Sequence, residues 1–220
     1  MGEYLELGQI RLPVQWVFIG LGLLIAYLVI NSRVKKTDLN NKHVVDGLFN
    51  ALFYGFIVWK LSYVLFYPIY AFTYPVGILY FDGGRRGVLL ALLVGIVYIY
   101  RYARKRQIGL LPYSELIMAG GFAASAVYFI HVTVMNPLFY VGQIMLALGL
   151  LVVIYKEQQV GQVKTISNVA LMYSLAQLFL HYFSQQPPLF LGLTAWQLIF
   201  AIVAVVIIIL QQKGEGYEKA

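Results

Sequence analysis

Residues 101–156 read RYARKRQIGLLPYSELIMAGGFAASAVYFIHVTVMNPLFYVGQIMLALGLLVVIYK. A basic cluster opens this stretch, then come an apolar run, the uncharged pair Met135-Asn136, a second apolar run and Lys156. A helix needs roughly 20 apolar residues to cross about 30 Å of hydrocarbon, and both runs reach that length. Two residues leave room only for a turn, so the runs form a hairpin whose open ends lie on one side. Both open ends are basic. Short loops rich in Lys and Arg resist translocation, which makes that side cytoplasmic and puts Met135-Asn136 outside.

The same alternation extends in both directions. Twelve of the sixteen Lys and Arg residues fall in every second gap: Arg33, Lys35, Lys36 and Lys42; Arg101, Arg104, Lys105 and Arg106; Lys156 and Lys164; Lys213 and Lys219. The other gaps hold Arg11, Arg85 and Arg86, while Lys60 lies inside an apolar run. Seven spans satisfy the pattern, near 12–30, 44–67, 87–102, 110–134, 137–155, 166–183 and 189–210. The chain is therefore expected to be an all-α membrane protein of seven transmembrane helices, N-terminus outside and C-terminus cytoplasmic. These spans use most of residues 1–220, which points to a single integral membrane domain. The first opens on Leu12-Pro13, where proline suits a first helical turn. It follows Glu3 and Glu6 instead of a basic leader, and reads as a retained anchor. The polar tail from Gln211 is expected to fray.

Composition agrees. Hydrophobic residues make up 61% and charged residues 11%, against about 25% charge in a soluble domain; mean hydropathy is +0.77. Tyr67, Tyr70, Tyr80, Tyr100, Tyr102, Tyr140, Tyr155 and Tyr182 sit at span ends, where an amphipathic ring prefers the headgroup level. The net charge of +7 lies in membrane-flanking loops, so anionic lipid is its expected partner and nucleic acid is not. With no cysteine, disulfides, thiolate catalysis and Cys metal sites are excluded.

Ionisable groups inside a bilayer are costly and default to functional candidates. Lys60, Asp82, Arg85, Arg86, His131 and His181 gather in the outer half, which supplies the means to hold a phosphate and move a proton. Each has a plainer reading as well. Lys60 can snorkel along its stem, the Arg pair can rest on bulk lipid phosphate, and a His at a span end is commonly interfacial. Asp46 and Glu115 lie near the inner ends of their spans, and Glu115 is expected to pair with a cytoplasmic Lys or Arg. No spacing resembles a metal site. Gly120-Gly121 and the small residues at 123–126 permit close helix packing or a substrate against the backbone. The outer connection PIYAFTYPVGILYFDGGRR (68–86) has an apolar middle at 76–81 that suits a segment lying in the interface.

Ser62-Tyr63-Val64-Leu65-Phe66-Tyr67, the Pro/Tyr-rich connection, Phe81-Asp82-Gly83-Gly84, a short third span and Arg104-Lys105-Arg106 follow one another. This order resembles the prolipoprotein diacylglyceryl transferases, a bacterial family with seven spans, N-out and C-in. Asn136-Pro137 is similar to a reduced form of the family's stretch opening the fifth span. Gly161, Tyr173, Phe183 and Pro187 resemble its sixth-span pattern, and Gln197 stands where the last span opens on Gly-Gln. The family moves a diacylglyceryl group from phosphatidylglycerol to a cysteine thiol of a prolipoprotein. That chemistry needs cations for the phosphate and a base for the thiol proton.

Here the pattern departs. Lys60 stands for a family Arg. Asp82-Gly83-Gly84 runs straight into Arg85-Arg86-Gly87 without the family's His. The Gly-Arg-x-Gly-Asn-Phe signature is replaced by AASAVY at 123–128. Gln177, His181 and Ser184 correspond to a family Arg, Glu and Arg. The resemblance thus implies a divergent member in the bacterial plasma membrane, binding phospholipid or lipoprotein at the outer leaflet without the usual catalysis. Lys60, Arg85, Arg86 and Asp82 would hold the headgroup, and Tyr63, Tyr173 and Gln177 would line the cavity. One alternative is an active phosphatidylglycerol–prolipoprotein diacylglyceryl transferase with a rearranged site and His131 or His181 as base. Another is a membrane subunit that docks a further membrane or extracytoplasmic protein through 70–81. No cofactor and no metal is expected in any of them.

Overall fold

The computed structural model describes residues 4–7, 10–37, 41–75 and 83–218. Among them seven helices are long and apolar enough to cross a membrane. Leu, Ile and Phe side chains are exposed along these helices. That suits a lipid solvent, in which the backbone satisfies its hydrogen bonds internally. The chain is a multi-pass membrane protein.

The helices are α1 (Val14–Lys35), α2 (Asn41–Phe66), the short α3 (Pro68–Thr73), α4 (Gly84–Arg106), α5 (Leu110–Val132), α6 (Pro137–Lys156), α7 (Val163–Leu180) and α8 (Ala195–Glu218). Two strands precede them, β1 (Tyr4–Leu7) and β2 (Ile10–Pro13), paired antiparallel with Glu6 opposite Arg11. This hairpin is an addition to the expected all-α, seven-helix fold. The period-2 alternation of Leu5-Glu6-Leu7 and Ile10-Arg11-Leu12 is strand-like, and Pro13 closes β2 instead of opening α1.

Other boundaries move as well. α4 begins at Gly84, three residues before the expected start, so Arg85 and Arg86 belong to its first turn. The last helix begins at Ala195 and not in the apolar run from 189. That run turns back on itself, with Phe190 bridged to Leu193 and both Leu191 and Gly192 in the left-handed region. Thr194 and Gln197 then cap α8. Gln197 Oε1 accepts the Thr194 N–H (2.8 Å) while Thr194 Oγ1 accepts the Gln197 N–H (3.3 Å), a capping box. α8 also continues through Glu218 where a frayed tail was expected. Gln211 Nε2 ties it at 3.0 Å to both Ser167 and Asn168 on α7.

Contacts divide the chain into two compact units, residues 38–113 and residues 1–37 with 114–220. In the smaller unit α2 and α4 run antiparallel. Gly55 lies against Ala91, Gly95 faces Ala51, and Gly47 meets the ring of Tyr102. The helices approach closely because small residues repeat every fourth position on both: Gly47, Ala51, Gly55 and Gly87, Ala91, Gly95. α3 buries only Ala71 and exposes Ile69 and Phe72, as an interfacial segment does. Residues 76–81, the apolar middle of the connection, lie outside the described residues.

In the larger unit α1 and α5 are antiparallel, with Gly22 against the Ala124 carbonyl and Gly120 against Ile30. The small residues of the fourth span thus serve helix packing, one of the two uses expected of them. Ala119, Leu150, Ile154 and Val169 form the core, flanked by Phe122 and Tyr173.

Candidate functional site

The candidate residues fall into two groups, one in each unit. In the smaller unit, Ser62 near the end of α2 is buried and donates to the Trp59 carbonyl at 2.6 Å. Glycines from the start of α4 close over it. The Gly83 N–H donates to the same carbonyl (3.3 Å). A Cβ on Gly83 would stand 1.8 Å from Ser62 Oγ, and one on Gly87 2.3 Å from it. No side chain fits at either position while Ser62 keeps this rotamer. Gly84 adopts φ +55°, the left-handed region that glycine enters at little cost.

This close approach fixes the start of α4 beside α2 and sets Arg85 and Arg86 there. Both are exposed, and the Arg86 guanidinium stands 5.9 Å from the centroid of the Phe66 ring. The first turn of α4 holds no acidic residue. A helix N-terminus carries partial positive charge and N–H groups without helical acceptors. Two arginines there raise an already positive potential, an arrangement that an anion stabilises. Lys60, half-buried, neighbours Trp59, whose carbonyl packs on Gly87. Tyr63 is also half-buried, its ring 5.7 Å from that of Tyr67. Asp82 lies outside the described residues.

In the larger unit, Gln143 on α6 and Gln177 on α7 exchange two side-chain hydrogen bonds, each 2.7 Å, and both are buried. Gln177 satisfies its amide there, and its backbone carbonyl lies 3.0 Å from Nδ1 of His181. The His181 ring is buried between Phe139 and Phe200, at 5.4 and 5.7 Å. Tyr173, one turn before Gln177, packs its ring on Phe122 and Phe200. His131 stacks on Phe18 at 5.0 Å and meets Tyr128 edge-on. The two histidines therefore sit in different aromatic surroundings. His181, Gln177 and Tyr173 are brought together with Gln143, which the sequence reading did not single out. An amide in the middle of an apolar run was the available signal, since polar groups at membrane depth seek partners.

The expected partner of Glu115 is Arg33. Glu115 Oε1 accepts from Arg33 Nε (3.0 Å) and Nη2 (2.9 Å), with both side chains almost wholly buried. Arg33 also donates to the carbonyls of Glu157 (2.6 Å) and Gln159 (3.0 Å), and Glu115 Oε2 accepts the Gly161 N–H (2.7 Å). Arg33 is thus no loop cation, as the charge count had it, but the buried tie of the α6–α7 connection. Asp46 is exposed. Among the described residues, no group of three His, Cys, Asp or Glu side chains could hold a metal ion.

The family model for prolipoprotein diacylglyceryl transferase matches residues 4–130, from β1 into α5. Three staphylococcal proteins named phosphatidylglycerol–prolipoprotein diacylglyceryl transferase are similar. That of Staphylococcus saprophyticus is 27% identical over 96 residues, 42% of this chain and 34% of the relative. That of Staphylococcus xylosus is 29% identical over 96 residues, with the same shares of each chain. That of Staphylococcus haemolyticus is 29% identical over 118 residues, 50% of this chain and 42% of the relative. The chain spans about a third to two fifths of the length of these curated relatives. With more than half of its residues inside the family model and seven apolar helices among the described residues, the chain belongs to the prolipoprotein diacylglyceryl transferase family.

Proposed function

We propose that this protein is a divergent family member in the bacterial plasma membrane that binds phospholipid at the outer leaflet without the family's usual catalysis. One observation carries the reading. Arg85 and Arg86 are exposed in the first turn of a 23-residue helix whose first turn has no acidic residue. A lipid phosphate at that turn would neutralise both guanidiniums and meet the positive end of the helix. Lys60 lies at the same level of α2 and adds a third cation. The positive-inside distribution supports an N-out, C-in orientation, which directs this cluster outward.

The loss of catalysis is inferred from the larger unit. The position that resembles a family Arg is Gln177, whose amide is engaged by Gln143. A neutral, occupied group cannot stabilise developing charge on a phosphate as an arginine does. The test is phospholipid that co-purifies in mild detergent. Wild type should retain phosphatidylglycerol in preference to phosphatidylcholine, and K60Q/R85Q/R86Q should lose that preference. Equal retention by wild type and the triple variant would overturn the headgroup site.

A second reading has its own observation. With Nδ1 of His181 against the Gln177 carbonyl, an Nδ1–H tautomer leaves Nε2 free to accept a proton. His181 would then be the base of a working transferase acting on a prolipoprotein thiol. Expression in bacteria depleted of their own transferase, with one reporter lipoprotein followed by mass spectrometry, decides between the two. A diacylglyceryl adduct that disappears in His181→Ala favours catalysis; no adduct from folded, inserted protein favours binding alone.

A further inference from the structure

The other end of α4 carries a feature that the proposed function does not use. A hollow of about 580 Å³ opens along one face of the helix, within the range of about 300–1,000 Å³ typical of small-ligand sites. Leu93, Val94 and Val97 line its inner part and Arg101, Lys105 and Arg106 its outer part, with Tyr98 and Tyr102 as the wall between. These positions recur at i, i+4 spacing, so they share one side of the helix.

Length and charge together select the occupant. From Val94 to Lys105 the helix rises about 16 Å, roughly half the hydrocarbon thickness of a bilayer. The hollow thus runs from mid-membrane to the headgroup level, the extent of one leaflet. Its aliphatic part suits an acyl chain. Its three cations stand at headgroup depth, and among the described residues none of them forms an ion pair with an acidic group. The Arg106 guanidinium lies 5.8 Å from the centroid of the Tyr102 ring, so the wall of the hollow orients it. Like charges one turn apart repel, and a bound phosphate relieves that repulsion.

We propose that this face of α4 is a binding site for an anionic phospholipid, with an acyl chain along Leu93, Val94 and Val97 and the phosphate on Arg101, Lys105 and Arg106. It is distinct from the Arg85/Arg86 cluster. Sixteen residues separate Arg85 from Arg101, about 24 Å along the axis, so the two clusters address opposite leaflets. It also differs from general attraction of basic loops to an anionic surface, because that attraction needs no groove.

The experiment is photolabelling in lipid nanodiscs with phosphatidylglycerol carrying a diazirine in one acyl chain, and the labelled peptide mapped by mass spectrometry. Labelling should concentrate on the segment around Leu93–Val97, and a phosphatidylcholine probe of equal chain length should label it about tenfold less. R101Q/K105Q/R106Q and Val97→Trp, which fills the groove with its charges intact, should each reduce labelling by a similar factor. R85Q/R86Q should leave it unchanged, and excess inorganic phosphate should not compete. Leu93→Trp, at a more exposed position, replaces Val97→Trp if that variant fails to fold. Equal labelling by the two lipids, or full labelling of both groove-filling variants, would overturn the site and leave only surface attraction.

Discussion

Glu115→Ala should strongly destabilise the larger unit. The carboxylate receives two N–H donors from Arg33 and one from Gly161, all at 3.0 Å or less and shielded from solvent. Removing it strands a buried guanidinium, whose remaining hydrogen-bond acceptors are the neutral carbonyls of Glu157 and Gln159. Breaking a buried pair from one side costs about 3–5 kcal/mol, and the orphaned Gly161 amide adds about 1 kcal/mol. The double variant R33M/E115L removes both charges and retains bulk. It should lose only about 1–2 kcal/mol, chiefly through the two carbonyls left without their donor. Denaturant unfolding in mild detergent, followed by tryptophan fluorescence, of wild type, R33M, E115L and the double variant closes the cycle and gives a coupling energy of at least about 2 kcal/mol. The cost should persist at high salt, because buried pairs are screened little. A cost for Glu115→Ala below about 1 kcal/mol, or a double variant as unstable as the sum of the singles, would refute a buried charge tie.

Gly87→Ala and Gly83→Ala should each cost about 1–3 kcal/mol by overpacking against Ser62, measured by the same unfolding assay. Ser62→Ala should rescue the first better than the second, since the Gly83 site also meets the Ser62 Cβ and the Gly87 backbone. Gln177→Leu should cost about 1–2 kcal/mol by leaving Gln143 unpaired, while Q143L/Q177L should be close to neutral; equal losses in both would mean that the amides do not depend on each other. Tyr113→Phe should be neutral or stabilising, because the buried Tyr113 hydroxyl finds no hydrogen-bond partner among the described residues. A clear loss of stability in that variant would reveal a partner for the hydroxyl.

The site residues were legible to different degrees. Lys60, Arg85, Arg86, His131 and His181 stand out because charge in an apolar run is rare and costly. Their surroundings were not legible. His131 and His181 look alike in sequence as basic residues at span ends. Yet one stacks on Phe18 at half exposure while the other is buried against Phe139 and Phe200. Gln143 escaped notice because an uncharged amide barely disturbs hydropathy. The start of α4 was misplaced because Gly83, Gly84 and two arginines read as a turn. The repeat Gly83, Gly87, Ala91, Gly95 would have corrected it, since a four-residue repeat of small side chains marks a packed helix face.

By itself the sequence determined that this is a seven-span membrane protein, and through which motifs it resembles its family. Both follow from local properties: the length of each apolar run, the alternation of charge between runs and the order of short motifs. Tertiary structure decided which residues meet. Arg33 and Glu115 are 82 positions apart and Gln143 and Gln177 34 apart, and nothing in the local pattern of either run names the other. In a bilayer every apolar face is equally at home against lipid, so hydrophobicity does not select a helix's neighbours. Close approach at small residues and the need to satisfy each buried polar group select them, and both become visible only when the helices are packed.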